Sequence, residues 1–398
     1  MSQSVFVFYL VLNQSIMKKL LALSLLCLAV FSSAQAQTMP APTIAAKSWL
    51  LLDTTSNQII ASENPEMRIE PASLTKIMTA YLVFEALRDK KVTMEQLVNV
   101  SVKAWKVDSD SSKMFIEPKT PVTVNDLLYG LIVQSGNDAA VALAETVAGS
   151  EEAFAVLMNR EVERMGLKAT HFANPHGLPD PQNYSTAQDL ARIAQHLIVE
   201  FPEYYKTFYS TKSFTYNKIT QPNRNRLLWL DPTVDGMKTG HTAAAGFCLV
   251  SSAKRPNGTG ERRLISVVLG ATSDQVRAQE SLKLLNWGFL NFDTVKLYEK
   301  NQAIDTPEIW KGTQAKIKIG FTDDLYVTLP KGSAARIKPQ LERKDPLVAP
   351  IAANAKIGTM KMMIDGKPVA EFPVMALETV NQASIFGRAW DSIRLWLK

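Results

Sequence analysis

The chain has 398 residues, 46% hydrophobic and 21% charged, the composition of a globular protein with room for two domains. Its formal net charge of +6 would suit an anionic partner, but no long Lys/Arg run, zinc-finger spacing or aromatic-basic RNA motif accompanies it, which excludes nucleic acid. The four histidines (His171, His176, His196 and His241) show no His-Glu-x-x-His spacing, which excludes a zinc peptidase and implies neither metal nor cofactor.

The amino end reads as an export signal. Lys18 and Lys19 precede an apolar stretch from Leu20 to Phe31, and Ala34 and Ala36 offer small residues for cleavage after Ala36. That apolar core is short for a transmembrane helix. Residues 1–16 fall outside the pattern, so translation is expected to start at Met17, with residues 1–36 an extension and signal peptide. The mature protein is then expected in the bacterial periplasm. Cys27 belongs to the removed segment, and the remaining Cys248, with no partner, reads as a small buried apolar residue.

Ser48–Asp53 and Gln58–Ser62 flank a Thr-Thr-Ser-Asn turn and predict a hairpin. Pro71 introduces a helix from about Ser73 to Lys90, with Ile77, Ala80, Tyr81, Phe84 and Leu87 on its buried face. Residues 107–115 are small and polar and read as a loop. Val122–Val133 is helical, and Ser135-Gly-Asn137 is a turn before an Ala-rich helix over Ala139–Ala148. Met237–Ser252 reads as a strand opening with Lys-Thr-Gly, and Arg263–Gly270 as its partner across a turn-rich loop, 255–260. This order of strands, helices and strands is α+β, with a mainly antiparallel sheet, over residues 40–294.

From about Thr294 the texture changes to short alternating runs at 315–321, 325–329 and 355–363. Asp365-Gly366 is a hairpin signal before Pro368–Phe372, so residues 295–382 read as a small all-β domain. In the last segment, 383–398, Ile385, Phe386, Ala389, Trp390, Ile393, Trp396 and Leu397 share one helical arc. Arg388, Asp391, Arg394 and Lys398 fall outside it. Such an amphipathic helix suits the interface of an anionic membrane without spanning it. A helix docked on the β domain, or a homodimer contact, would carry the same pattern.

Three short motifs carry the chemistry: Ser73-Leu-Thr-Lys76, Ser135-Gly-Asn137 and Lys238-Thr-Gly240. A serine hydroxyl needs a base to become a nucleophile at neutral pH, and a lysine one helical turn away can supply it. Singly the signals are weak. Ser15–Lys18 and Ser251–Lys254 repeat the first motif and Ser62–Asn64 the second, and Ser73 alone would pass for a helix N-cap. Order and surroundings decide.

Through Pro71–Ala80, Met114–Phe115, Ile132–Asp138 and Val234–Thr242, followed by the β domain and amphipathic end, the chain resembles the low-molecular-weight penicillin-binding proteins of the D-alanyl-D-alanine carboxypeptidase family. The resemblance implies a β-lactamase/transpeptidase-like domain and a serine carboxypeptidase that removes the terminal D-alanine from peptidoglycan stem pentapeptides. It implies Ser73 as nucleophile, Lys76 as base and Ser135 as proton relay. Asn137 would hold the peptide amide, and Thr239 with Arg277 or Arg224 the terminal carboxylate; each arginine is otherwise a solvated surface charge. Lys238 and Gly240 complete the substrate strand, and the backbone N–H groups of Ser73 and His241 would receive the oxyanion. Repulsion from Lys238 and partial desolvation would both lower the pKa of Lys76. β-Lactam antibiotics would acylate Ser73. The second motif is Ser-Gly-Asn rather than Ser-Asp-Asn, and no Glu-x-x-Leu-Asn lies between Asn137 and Lys238, which counts against a fast β-lactamase. A DD-endopeptidase, or a catalytically weak peptidoglycan-binding protein, would use the same cleft.

Overall fold

The structure, a computed structural model, describes residues 40–108, 111–258 and 260–397; the signal peptide, the Met17 start, Cys27 and Lys398 lie outside the described residues. The described residues from Ala41 onward hold together as one unit. Strands β1 (Ser48–Asp53) and β2 (Gln58–Glu63) form the expected hairpin. With β3 (Val234–Thr242), β4 (Gly246–Asn257) and β5 (Gly260–Ala271) they make a five-stranded antiparallel sheet of order β2-β1-β5-β4-β3. β1 shows no alternation in sequence and is buried along its whole length, because both faces of the sheet are covered. Leu50 and Leu52 enter a core shared with helices, while Trp49 and Leu51 enter a second core on the opposite side.

The larger core is made with α1 (Lys76–Arg88), α2 (Val124–Ile132), α3 (Asn137–Ala148), α4 (Glu151–Arg164), α5 (Ala187–Glu200) and α6 (Pro202–Tyr209). The opposite face carries α7 (Asp274–Asn291), which contributes Ala278, Leu284 and Leu285. Side-chain oxygens of Thr123, Ser150, Thr186 and Ser273 cap α2, α4, α5 and α7. Helices α4 to α7 have no counterpart among the elements read from sequence. α7 buries Arg277 and Glu280 on its inward face, which breaks the apolar stripe that would announce it, whereas α5 carries an intact stripe (Leu190, Ile193, Ala194, Leu197).

Other expectations need correcting. Ser73 sits in a 3-10 turn, Ala72–Thr75, and α1 starts only at Lys76; its hydroxyl caps nothing. The helix after the second motif starts at Asn137, two residues early. The single strand expected over 237–252 is two strands, β3 and β4, because Gly246 at φ 70 turns the chain and Ala245 N donates to Thr242 Oγ1 at 3.0 Å. The loop expected at 255–260 is mostly strand, with Arg255 to Asn257 paired against Gly260 to Arg262.

Beyond α7, β6 (Phe292–Tyr298) pairs with β7 (Leu325–Pro330). A second antiparallel sheet runs in the order Ala303–Asp305, Ile319–Gly320, Lys367–Ala376, Lys356–Ile364, Ile337–Arg343. The run at 315–321 yields only the short strand Ile319–Gly320, whereas Asp365-Gly366 makes the expected turn with both φ angles positive. Ile319, Val327, Met362, Val374 and Ala376 form the centre of a separate apolar core.

Buried Asp53 ties β1 to these strands. Its Oδ2 accepts from Arg262 Nε at 2.7 Å, Thr294 Oγ1 at 2.5 Å and Thr328 Oγ1 at 2.8 Å. Helix α8 (Ile385–Trp396) contacts the β strands through its polar side: Asp391 Oδ2 accepts from Lys311 N at 2.6 Å, and Arg394 lies over Trp310 at 5.2 Å. Its apolar arc points outward, with Phe386 and Trp396 88% and 86% exposed. Among the described residues no helix is long and apolar enough to cross a membrane.

Candidate active site

Pro71 and Ala72 lead the chain into the 3-10 turn that presents Ser73, and Ala72 takes φ 49, where a side chain is strained. Two glycines crowd that turn. A Cβ on Gly177 would come within 1.8 Å of Ala72 O, and one on Gly240 within 3.1 Å of Pro71 O. Only the bare backbone lets β3, the edge strand of the sheet, lie against the serine.

Lys76, three residues on, is buried, and its Nζ donates to Ser73 Oγ at 3.0 Å, Asn137 Oδ1 at 2.6 Å and the His176 carbonyl at 2.6 Å. Burial, and next the positive charge of Arg224, lower its pKa to about 7, against an opposing pull from Asp138. The three contacts match an ammonium. When the proton leaves, two N–H groups remain for the amide oxygen and the carbonyl, neither of which can donate. The lone pair then faces the one partner with a proton to give, the Ser73 hydroxyl.

Ser135 holds φ 61 and leads into α3, placing Asn137 in its first turn. Ser135 Oγ accepts from Lys238 Nζ at 2.8 Å, and the same nitrogen donates to Thr239 O at 3.0 Å. Lys238 is buried, and its pKa is pushed well down by burial and then by repulsion from Lys76, Arg224 and Arg277. For Lys76 the expected desolvation is present and is the largest cause, and Arg224 is a cation the sequence reading had not named in that role. Repulsion between the two buried lysines disfavours charging both at once. Two lysines this close and this buried cannot both hold a proton at low cost.

The cleft above these lysines has a volume of about 570 Å³ and is lined by Ser73, Ser135, Asn137, Arg224, Thr239, Gly240, His241 and Arg277. All ten residues singled out in the sequence therefore meet at one site, eight on its wall and Lys76 and Lys238 hydrogen-bonded to that wall. Arg277 is buried rather than solvated: its Nη1 donates to Gly240 O at 3.1 Å, and its Nη2 pairs with Asp274. Arg224, by contrast, is exposed on the cleft wall, and partial desolvation there lowers its pKa as burial lowers that of Arg277. The exposed His241 ring lies tilted against that of Phe247, with ring centroids 4.1 Å apart.

Several contributors escaped the sequence reading. Asp138 is buried and its carboxylate accepts from the backbone N–H groups of Met114 (2.9 Å), Phe115 (2.8 Å) and Ile116 (3.3 Å), tying the 111–116 segment to the second motif. Ser111 and Ser112 of that segment line the cleft, so the loop read at 107–115 reaches its rim; Ser109 and Asp110 lie outside the described residues. His176 acts through its backbone, which leaves no side-chain signal. Asp274 and Arg226 also line the cleft and belong to no motif. Among the described residues no cluster of His, Cys, Asp or Glu could hold a metal ion.

A sequence profile described as D-alanyl-D-alanine carboxypeptidase matches residues 34–273, more than half of the chain, and one described as penicillin-binding protein 5, C-terminal domain, matches residues 292–382. The chain belongs to the D-alanyl-D-alanine carboxypeptidase family. It is 42% identical over 365 residues to the D-alanyl-D-alanine carboxypeptidase DacC of Escherichia coli K12, covering 90% of each chain. It is 45% identical to the DacA carboxypeptidase of Haemophilus influenzae, over 90% of this chain and 91% of the relative. The crystal structure of penicillin-binding protein 5 from Haemophilus influenzae superposes with a TM-score of 0.81 at 44% identity, over 86% of this chain and 99% of that one. As a low-molecular-weight penicillin-binding protein of mixed helix and antiparallel sheet with a terminal all-β domain, it is a serine-type D-Ala-D-Ala carboxypeptidase, a hydrolase.

Proposed function

We propose that the enzyme removes the terminal D-alanine from peptidoglycan stem pentapeptides through an acyl-enzyme on Ser73. Ser73 Oγ bonds to the carbonyl carbon between the two D-alanines as its proton passes to neutral Lys76. The C–N bond then breaks, and the departing D-alanine nitrogen takes a proton through Ser135, whose hydroxyl is held by Lys238. Water hydrolyses the remaining ester. The observation that supports this best is the contact set of Lys76, which leaves its lone pair no proton donor except Ser73. Asn137 holds the peptide amide, the N–H groups of Ser73 and His241 receive the oxyanion, and Thr239 with Arg277 and Arg224 holds the terminal carboxylate. β-Lactams acylate the same serine. Release of D-alanine from a D-Ala-D-Ala pentapeptide, and its loss together with covalent penicillin labelling in Ser73→Ala, tests the assignment. An alanine variant that still traps penicillin would remove Ser73 from the role.

The same proposal places the peptidase domain at 40–294, the β domain at 295–382 and an anchor at 383–398, in an exported protein attached to the outer face of the inner membrane. An arc of exposed apolar side chains, with the polar side of α8 turned to the β strands, supports the anchor. Deleting 383–398 should leave a soluble enzyme that still hydrolyses small peptides. Retention on membranes, or loss of that activity, would make α8 a part of the fold instead.

A further inference from the structure

At one end of the cleft the lining charge is uneven: Arg224, Arg226 and Arg277 stand there, and Asp274 is the only acidic residue among the described lining residues. Ser273 caps α7, so Asp274 is its first residue and shares a side of the helix with Arg277, three positions on. One carboxylate oxygen pairs with Arg277 Nη2, the other lies 3.6 Å from Arg226 Nη1, and the charge also reaches Arg224. The two pairs differ in strength. The Arg277 side chain is 7% exposed and also bonded to the carbonyl oxygens of Gly240 and Cys248. Arg226 is 54% exposed and its contact is long, so an incoming anion can displace it at little cost.

We propose that Asp274 is a specificity-determining residue: an internal carboxylate that occupies the arginines of the free enzyme and holds down affinity for the terminal carboxylate of substrate and of released D-alanine. This rests on the assignment of D-Ala-D-Ala peptides as substrate. A substrate carboxylate that reaches Thr239 and Arg277 meets Asp274 as a like charge, and Arg226 turns from Asp274 to the new anion. Arg226 returns when D-alanine departs. Tighter ground-state binding of that carboxylate would add nothing to the chemical step at saturating substrate, and the product carries the same group, so a built-in competitor favours turnover.

The test compares the full-length enzyme with Asp274→Asn on an N-acyl-D-Ala-D-Ala peptide and on an N-acyl-D-alanine methyl ester, whose leaving group has no carboxylate. The variant is expected to lower KM for the peptide about three- to ten-fold, as removal of one partly exposed like charge allows. The peptide-to-ester ratio of kcat/KM rises with it, inhibition by added D-alanine strengthens, and all three effects shrink in about 0.5 M salt. Arg226→Gln is expected to raise KM for the peptide, and it decides the matter if Asp274→Asn does not fold. An unchanged peptide-to-ester ratio in either variant overturns the proposal. So does a KM that rises in Asp274→Asn, the result of a carboxylate that merely positions Arg277. Release of D-alanine by the wild type in the same series reports on the substrate assignment: no release removes both, and release with an unchanged ratio removes only the role of Asp274.

Discussion

Asp53 and Arg262, where the first sheet meets β6 and β7, are both buried, and their charges join at 2.7 Å. Lys76 and Lys238, below the cleft, are buried to the same degree, and among the described residues neither forms an ion pair; their partners are hydroxyl, amide and carbonyl oxygens. Both pairs carry the desolvation cost of a buried charge. At the junction the opposite charge offsets it and further bonds to Thr294 and Thr328 hold the carboxylate in place, so the group is a clamp. In the cleft nothing of opposite sign stands in contact, so the charged form of each lysine is disfavoured and both pKa values fall, that of Lys76 to about 7. One arrangement yields cohesion and the other a base.

The contrast breaks first at Lys76→Arg. Arginine keeps the charge but cannot give up its proton, so penicillin acylation should fall about 10²- to 10⁴-fold, the range of a lost general base. Substantial acylation in stopped-flow or gel labelling would show that Lys76 is not the base.

Stability should run the other way. Asp53→Ala leaves Arg262 buried without its anion and should cost about 3–5 kcal/mol in urea unfolding, while the folded fraction still acylates. Lys76→Met removes an uncompensated buried cation and should leave stability unchanged or raised while activity collapses. The folded-state pKa of Lys76, about 7, lies below its ordinary 10.5. Below pH 7 the native state therefore buries a charge that the unfolded chain solvates, and between 7 and 10.5 the unfolded chain binds the extra proton. Wild-type stability should then gain on the variant as pH rises through that window and match its trend outside it. A constant difference from about pH 6 to about pH 11 would mean that Lys76 titrates alike in both states.

The spacing of Ser73 and Lys76 was legible because a helical turn brings residues three apart to one side whatever surrounds them. The downward direction of the Lys76 shift was legible too, but not the dominance of burial or the part of Arg224. Desolvation is set by the α2, α3 and His176 segments folding over Lys76, and no local pattern states it. Asp138, Asp274 and the His176 carbonyl act by backbone contact or across distant elements, so their roles appear only when the chain is folded. The run from Met237 to Ser252 read as one strand because Ala243-Ala-Ala carries no strong turn residue before Gly246. The paired strands β6 and β7 add a similar case. Thr294 and Thr328 look like ordinary strand residues until Asp53 is placed between them.

Burial and a neighbouring cation, rather than a partner base, bring the pKa of Lys76 to about 7. The most direct measurement is the first-order rate of acylation at saturating penicillin as a function of pH, in the wild type and in Arg224→Gln. The wild-type acid limb should have its midpoint near 7. Removal of Arg224 takes away a positive neighbour, raises the pKa of Lys76 and should move the limb upward. A wild-type limb near 10.5, or one that stays in place without Arg224, would contradict the account.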